Sequence, residues 1–153
     1  MNEFQRLIMF LKIQDPNFGT LHRHLISDMA WFENHEEIDE WQSALSEQCD
    51  ELTEVGMALG YEEPGIKDAV LAFGNELLDV QPRECRETFG AIREIMRSVA
   101  GMMQTSEAIV PASVQNKLQE YEYYWNKEAD YKIAQMLGSV KVGRNPVIEY
   151  DDD

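Results

Sequence analysis

Positive charge is scarce in this sequence. Lys and Arg number 13 against 29 Asp and Glu, a net charge of −16 over 153 residues. Phosphate binding gains from Lys and Arg neutralisation and counterion release, so direct nucleic-acid binding is disfavoured. An anionic membrane surface is disfavoured for the same reason. Cysteine is scarce too. Cys49 and Cys85 form no C-x-x-C pair and no zinc pattern, and the plain reading is two reduced core thiols. No run approaches the roughly 18 apolar residues of a membrane-spanning helix. The opening MNEFQRLIMFLKIQD puts Glu3 ahead of its apolar run and has no small-residue cleavage site, so a secretory signal is not expected and a cytoplasmic location fits. Sustained period-two alternation is missing, which argues against half-buried strands. A glycine-rich phosphate loop, G-x-S-x-G and H-E-x-x-H are missing as well.

What the chain has in abundance is carboxylate. Residues 33–63 hold eleven acids and no Lys or Arg. Ile38, Trp41, Leu45, Leu52, Val55 and Leu59 thread them at helical spacing, so an amphipathic helix with a negative outer face is predicted. Asn34 suits its N-cap, and Gly60 its end.

The other periodic stretches complete a helical plan. A helix over 2–13 buries Phe4, Leu7, Ile8, Phe10 and Leu11, and Asp15-Pro16-Asn17 is expected to stop it. A short helix over 19–29 follows. Its His22 and His24, two residues apart, point to different sides and cannot share a metal locally. A helix over 67–80 is expected to pack Val70, Leu71, Phe73, Leu77 and Leu78. Pro82 then opens a helix to Met103 with the stripe Phe89, Ile92, Met96, Val99 and Met103. Arg86, Arg93 and Arg97 flank that stripe, with Arg83 close by. An intramolecular partner for the acidic helix is the plain role; a phosphate- or carboxylate-binding strip is the functional one. A loop over 105–110 leads to the last helix, 112–137, with Val114, Leu118, Tyr121, Trp125, Ala129, Ile133 and Met136 inward and Tyr123, Tyr124 and Tyr131 off the stripe. The fold expected is all-α: one domain, 1–153, of five or six helices in a compact bundle. Sub-bundles 1–60 and 64–138 would meet near Gly60 and Gly65. Residues 139–153 form a short extended acidic tail, with a β-like stretch at Val147-Ile148.

The first third carries a resemblance. Phe10-Leu11-Lys12, Asp15, Gly19-Thr20-Leu21-His22-Arg23, Ile26, Asp28-Met29-Ala30-Trp31 and the stretch 38–45 resemble the YozE-like family of small SAM-like helical domains. Phe32 stands where that family has proline, and Ala44-Leu45 replaces Tyr-Leu. The resemblance implies a small helical bundle and brings no catalytic residues. A second likeness lies in Asp50-Glu51-Leu52-Thr53-Glu54 and Glu76-Leu77-Leu78-Asp79, similar to the paired acidic motifs of MazG-like nucleotide pyrophosphohydrolases. It implies Mg²⁺ held by Glu51, Glu54, Glu76 and Asp79 and a triphosphate substrate. Pro82, just after Asp79, departs from that pattern.

The functional expectation is a non-catalytic acidic protein, needing no cofactor, that contacts a basic protein surface. An ordered carboxylate array can imitate DNA phosphates or meet the cleft of a nuclease or other nucleic-acid-binding protein, as phage counter-defence inhibitors and immunity proteins do. Glu33, Glu36, Glu37, Asp39, Glu40 and Glu47 would form that surface, with Tyr123 and Tyr124 as interface aromatics. Mg²⁺ enters only with the pyrophosphohydrolase alternative. A structural or assembly protein using the last helix is the third class.

Overall fold

The computed structural model describes residues 1–26 and 30–138. It is all-α. Helix α1 spans Glu3–Arg23, α2 Trp31–Ala58, α3 Ile66–Phe73, α4 Cys85–Ser106 and α5 Ala112–Lys127; a π-helical segment, Glu128–Ile133, continues α5 into α6, Ala134–Leu137. Two-residue strands β1, Leu25–Ile26, and β2, Arg83–Glu84, pair in parallel. The predicted tail, 139–153, lies outside the described residues.

Side-chain contacts fix the directions of the four long helices. Along α1 and α2, Gly56 faces Phe4, Gln42 faces Asp15 and His35 faces His22, so the two are antiparallel. Ser106 bonds the Glu3 carbonyl and Asn34 meets Cys85, so α4 runs antiparallel to α1. Tyr121 meets Glu51 and Lys132 meets Glu37, so α5 runs antiparallel to α2. The order is up, down, down, up. Short connections close α1–α2 and α4–α5, and one long crossover, residues 59–84, returns the chain to the other end of the bundle.

That crossover explains the largest departure from expectation. It starts beside Gln5, whose side chain bonds the Glu62 carbonyl, and ends beside His24, whose carbonyl accepts from Arg83 N–H. Nineteen helical residues separate those points, about 28 Å. A 14-residue helix would rise only about 21 Å. Instead α3 stops at Phe73, a 3₁₀ turn covers Gly74–Glu76, and the chain then extends. Asn17 anchors it, donating to the Glu76 carbonyl and accepting from Leu78 N–H. Phe73 stacks edge-on against Phe10. Val70, Leu71 and Leu77, expected in the core, are exposed.

Other boundaries move for local reasons. Helix α1 runs through Pro16, which sits on its exposed side, because Phe18 and Leu21 beyond it are fully buried in the common core. The expected helix over 19–29 is therefore the end of α1 followed by β1; its last three residues are not described. Helix α2 begins at Trp31, not at His35, since Trp31 Nε1 is tied to the Leu25 carbonyl. Gly60, at φ +92°, ends it as expected. Helix α4 starts at Cys85, three residues after Pro82, and carries on to Ser106. A 3₁₀ turn, Glu107–Ile109, replaces the rest of the predicted loop.

One core serves the whole bundle. Phe4, Leu11, Phe18, Trp41, Leu45, Phe89, Met96, Trp125 and Ile133 belong to one contiguous cluster, so helices on both sides of Gly60 share it. The α4 stripe is buried as its spacing predicts. In the last helix Trp125, Ala129 and Ile133 are fully buried at steps of four. The wider π turn keeps that spacing on one face, and Met136 swings out.

Pro16 costs α1 a backbone hydrogen bond without any compensating packing of its ring. Pro16→Ala is therefore expected to raise stability by about 1–3 kcal/mol. Urea unfolding of the two proteins checks this, and an equal or lower midpoint for the variant would contradict it.

Candidate functional site

Helix α2 presents two flanks beside its buried stripe of Ile38, Trp41, Leu45 and Leu52. One flank meets α5 and its continuation. Trp41 Nε1 donates to Glu128 at 2.8 Å, and Trp125 Nε1 donates to Gln48 at 2.7 Å. Lys132 pairs with Glu37 at 3.1 Å, and Lys117 with Glu51 at 3.6 Å. The Tyr121 hydroxyl also bonds Glu51; that bond first, then Lys117, holds the Glu51 carboxyl below its usual range. Burial, then Glu51, pushes the Tyr121 phenol up. Tyr124 is half-buried, stacked edge-on against Trp125, and raised to about 12, chiefly by burial. Of the residues expected at a partner surface, Glu37 and Tyr124 are thus committed inside the molecule. Glu33, Glu36, Asp39, Glu40, Glu47 and Tyr123 are exposed.

The opposite flank is open. His35, Asp39, Ser43, Ser46, Asp50 and Glu54 fall within a sector of about 100° at helical geometry. All but the half-buried His35 are exposed. A groove of about 630 Å³ runs between Asp39, Ser43, Ser46 and Asp50 of this flank and Asp15 of α1. It shares Ser46 and Asp50 with a second groove, of about 510 Å³, that reaches Glu54, Met57, Glu63 and Ile66. Lys12 lies in the second groove, paired with Glu63 at 2.7 Å. Cys49 lies there too, but burial pushes its thiol up, so it stays protonated at neutral pH and is a poor nucleophile.

His35 is held firmly at the end of this flank. Its ring stacks on Trp31 at 4.6 Å and lies 4.7 Å from the His22 ring. Its Nδ1 is 3.0 Å from the His22 carbonyl. A carbonyl can only accept, so Nδ1 carries the proton and Nε2 keeps a free lone pair. That is the arrangement of a metal-binding imidazole, oriented by a backbone carbonyl. Burial first, then His35, holds the His22 imidazole below its ordinary value. The sequence pointed to the spacing of His22 and His24; the role of His35 depends on a carbonyl thirteen residues away and has no local signature.

The expected Mg²⁺ quartet is not brought together. No three His, Cys, Asp or Glu side chains among the described residues form a metal-sized group. Glu51 belongs to the α5 flank and Glu54 to the α1 groove. Glu76 lies on the far side of α1, lining a cavity of about 270 Å³ with Gln14, Asn17 and Glu94. Residues 77–82 are not helical, so E-x-x-D spacing no longer places Glu76 and Asp79 on one face. The arginine strip is engaged elsewhere as well. Arg97 and Arg93 approach Asp130 of the π segment at 3.0 and 3.9 Å, not the acidic helix. Arg83 is buried beside Glu87 at 3.8 Å. Cys85 Sγ accepts a hydrogen bond from Asn34.

No family model matches the sequence, and no curated protein does either. Solved structures do match in shape. Antigen TpF1 from Treponema pallidum superposes with a TM-score of 0.81, at 13% identity over 88% of each chain. Dps92 from Deinococcus radiodurans gives 0.79, at 15% identity over 90% of this chain and 85% of that one. Dps of Mycobacterium smegmatis gives 0.75, at 14% identity over 94% and 86%. The likeness is one of fold. This chain shares the helical-bundle fold of those structures, and a single long crossover joins its two helical hairpins.

The His35 tautomer is directly measurable. At pH 8, ¹⁵N NMR should find the proton on Nδ1 and an unprotonated Nε2. Observation of the Nε2–H form would remove this residue as a candidate ligand.

Proposed function

We propose that the chain works as a self-associating bundle that binds divalent cations between two copies, on the open flank of α2. In ferritin-like carboxylate proteins, Glu and His side chains project into the bundle core. The core here is apolar, with Trp41, Phe89, Met96 and Trp125 at its centre, so an interior metal does not fit. The donors lie outside, on α2. The observation that carries the reading is their order: His35 and Asp39, then Ser43 and Ser46, then Asp50 and Glu54. The small serines sit at the midpoint. An isologous antiparallel contact of two α2 helices over the serines sets His35 of one copy toward Glu54 of the other, and the reverse. Imidazole with carboxylates suits a first-row metal such as Fe²⁺, Mn²⁺ or Zn²⁺. Bound there, the ion would supply Lewis acidity or, as iron, redox chemistry.

The neighbouring surface supports pairing. Met57 and Ile66 line the groove and are exposed, and α3 continues the apolar patch with Val70 and the 87% exposed Leu71. Residues 64–75 carry only Lys67 and Asp68, a neutral island in a chain of net charge −16. Like-charged copies can approach there without repulsion, and an apolar patch of this kind marks a contact surface. In sedimentation experiments the protein is expected to be dimeric or larger, and Leu71→Glu with Ser43→Arg should yield monomers of unchanged helicity. Calorimetric titration with Mn²⁺ should show affinity falling about tenfold or more in Glu54→Gln and in His35→Ala. A monomer that takes up no cation would sink the proposal.

The exposed carboxylates Glu33, Glu36, Glu40 and Glu47 support a second reading, in which the negative surface docks a basic protein, such as a nucleic-acid-binding protein or nuclease. Charge reversal at Glu36, Glu40 and Glu47 should abolish salt-sensitive capture of such a partner from lysate while leaving the fold intact. Equal capture by wild type and variant would count against it.

A further inference from the structure

The cavity of about 270 Å³ between α1, the crossover and α4 shares no residue with the open flank of α2. Two of its lining side chains are polar and buried: Gln14 is 1% exposed and Asn17 2%. The backbone fixes which way both amides point. Leu78 N–H can only donate, so at 2.8 Å it selects Asn17 Oδ1. The Glu76 carbonyl can only accept, so at 3.0 Å it selects Asn17 Nδ2. That same Nδ2 donates to Gln14 at 2.8 Å, so the Gln14 atom it meets is Oε1. Gln14 Nε2 is the atom left over. No described residue accepts from it, and Gln14 lines the cavity. A buried donor without an acceptor is costly, and an oxygen entering the cavity removes that cost.

The rest of the lining is of two kinds. Phe10, Leu78, Ala91 and Ile95 supply apolar wall. Glu76 and Glu94 are exposed carboxylates, and no Lys or Arg lines the cavity with them. Asn17 is a positioning residue here: its two bonds to the crossover backbone hold Glu76 and Leu78 against α1. The complement of this lining is an oxygen acceptor, an apolar body and a positive charge in one small molecule.

The geometry points to a binding site for a small primary amine that carries an apolar body and an oxygen acceptor, with the oxygen on Gln14 Nε2 and the ammonium against Glu76 and Glu94. The volume lies just below the roughly 300–1,000 Å³ of drug-sized sites, which limits the ligand to about the size of tyramine. The net charge of −16 raises the local concentration of such a cation. None of the cation-binding residues on α2 takes part, so the two sites stand or fall separately.

The test adds tyramine to the full chain. Followed by ¹⁵N NMR, the titration should shift the Gln14 side-chain amide signal and saturate at one site per chain. Phenethylamine lacks the oxygen, leaves Gln14 Nε2 stranded, and should bind about fivefold or more weaker. Para-hydroxyphenylacetate, with a carboxylate in place of the amine, should not bind. Glu76→Gln with Glu94→Gln alters two exposed side chains and should weaken tyramine binding roughly two- to fivefold at unchanged helicity. Equal affinity for tyramine and phenethylamine would reveal only the pull of an acidic surface on any cation, and would overturn the site. So would an unmoved Gln14 amide at millimolar tyramine, or undiminished binding by the double variant. The wild-type titrations decide the matter even if a variant fails to fold.

Discussion

Two indoles hold the bundle together. Trp41 comes from α2 and gives its N–H to Glu128 beyond α5; Trp125 comes from α5 and gives its N–H to Gln48 of α2. Each ring is fully buried, and each is packed by an aromatic from a third helix, Phe89 for Trp41 and Phe18 for Trp125. A buried indole loses about 1–3 kcal/mol if its N–H finds no acceptor. The acceptors therefore fix the rotation of α2 against α5, and that rotation decides which carboxylates of α2 turn inward. Glu37 and Glu51 meet lysines because the indoles put them there. His35, Asp39, Asp50 and Glu54 stay open for the same reason.

The π segment belongs to the same constraint. It brings Glu128 under Trp41 while Asp130, two residues on, faces Arg93 and Arg97 of α4. A regular helix would drift away from the four-residue spacing of Trp125, Ala129 and Ile133. The wider turn keeps those three in the core and serves both neighbours at once. This is a local irregularity produced by tertiary packing, with no breaker residue in Glu128–Ile133 to announce it.

Periodicity made the four long helices legible, most plainly in α4, where Phe89, Ile92, Met96, Val99 and Met103 are buried as spaced. It misled in the crossover, where Val70, Leu71 and Leu77 repeat like a core stripe but lie on a segment whose course is set by the distance it must cover. Pro16 misled in the other direction, since a local rule about proline yielded to the burial of Phe18 and Leu21. For the site, the acidic character of α2 was evident, but the division of its carboxylates between an inner and an outer flank was not. That division depends on lysines 66 to 95 residues away, and the fixed tautomer of His35 depends on a carbonyl of another helix.

The long crossover has a consequence for how the molecule comes apart. It separates the chain into two helical hairpins, α1–α2 and α4–α5, each closed by a short connection. Neither hairpin contains a finished environment for its own indole. Trp41 needs Phe89 and Glu128 from the second, and Trp125 needs Phe18 and Gln48 from the first. Undocking would expose both rings and strand both N–H groups together. Half-folded states are therefore penalised twice, and the two hairpins lose their structure in a single cooperative step.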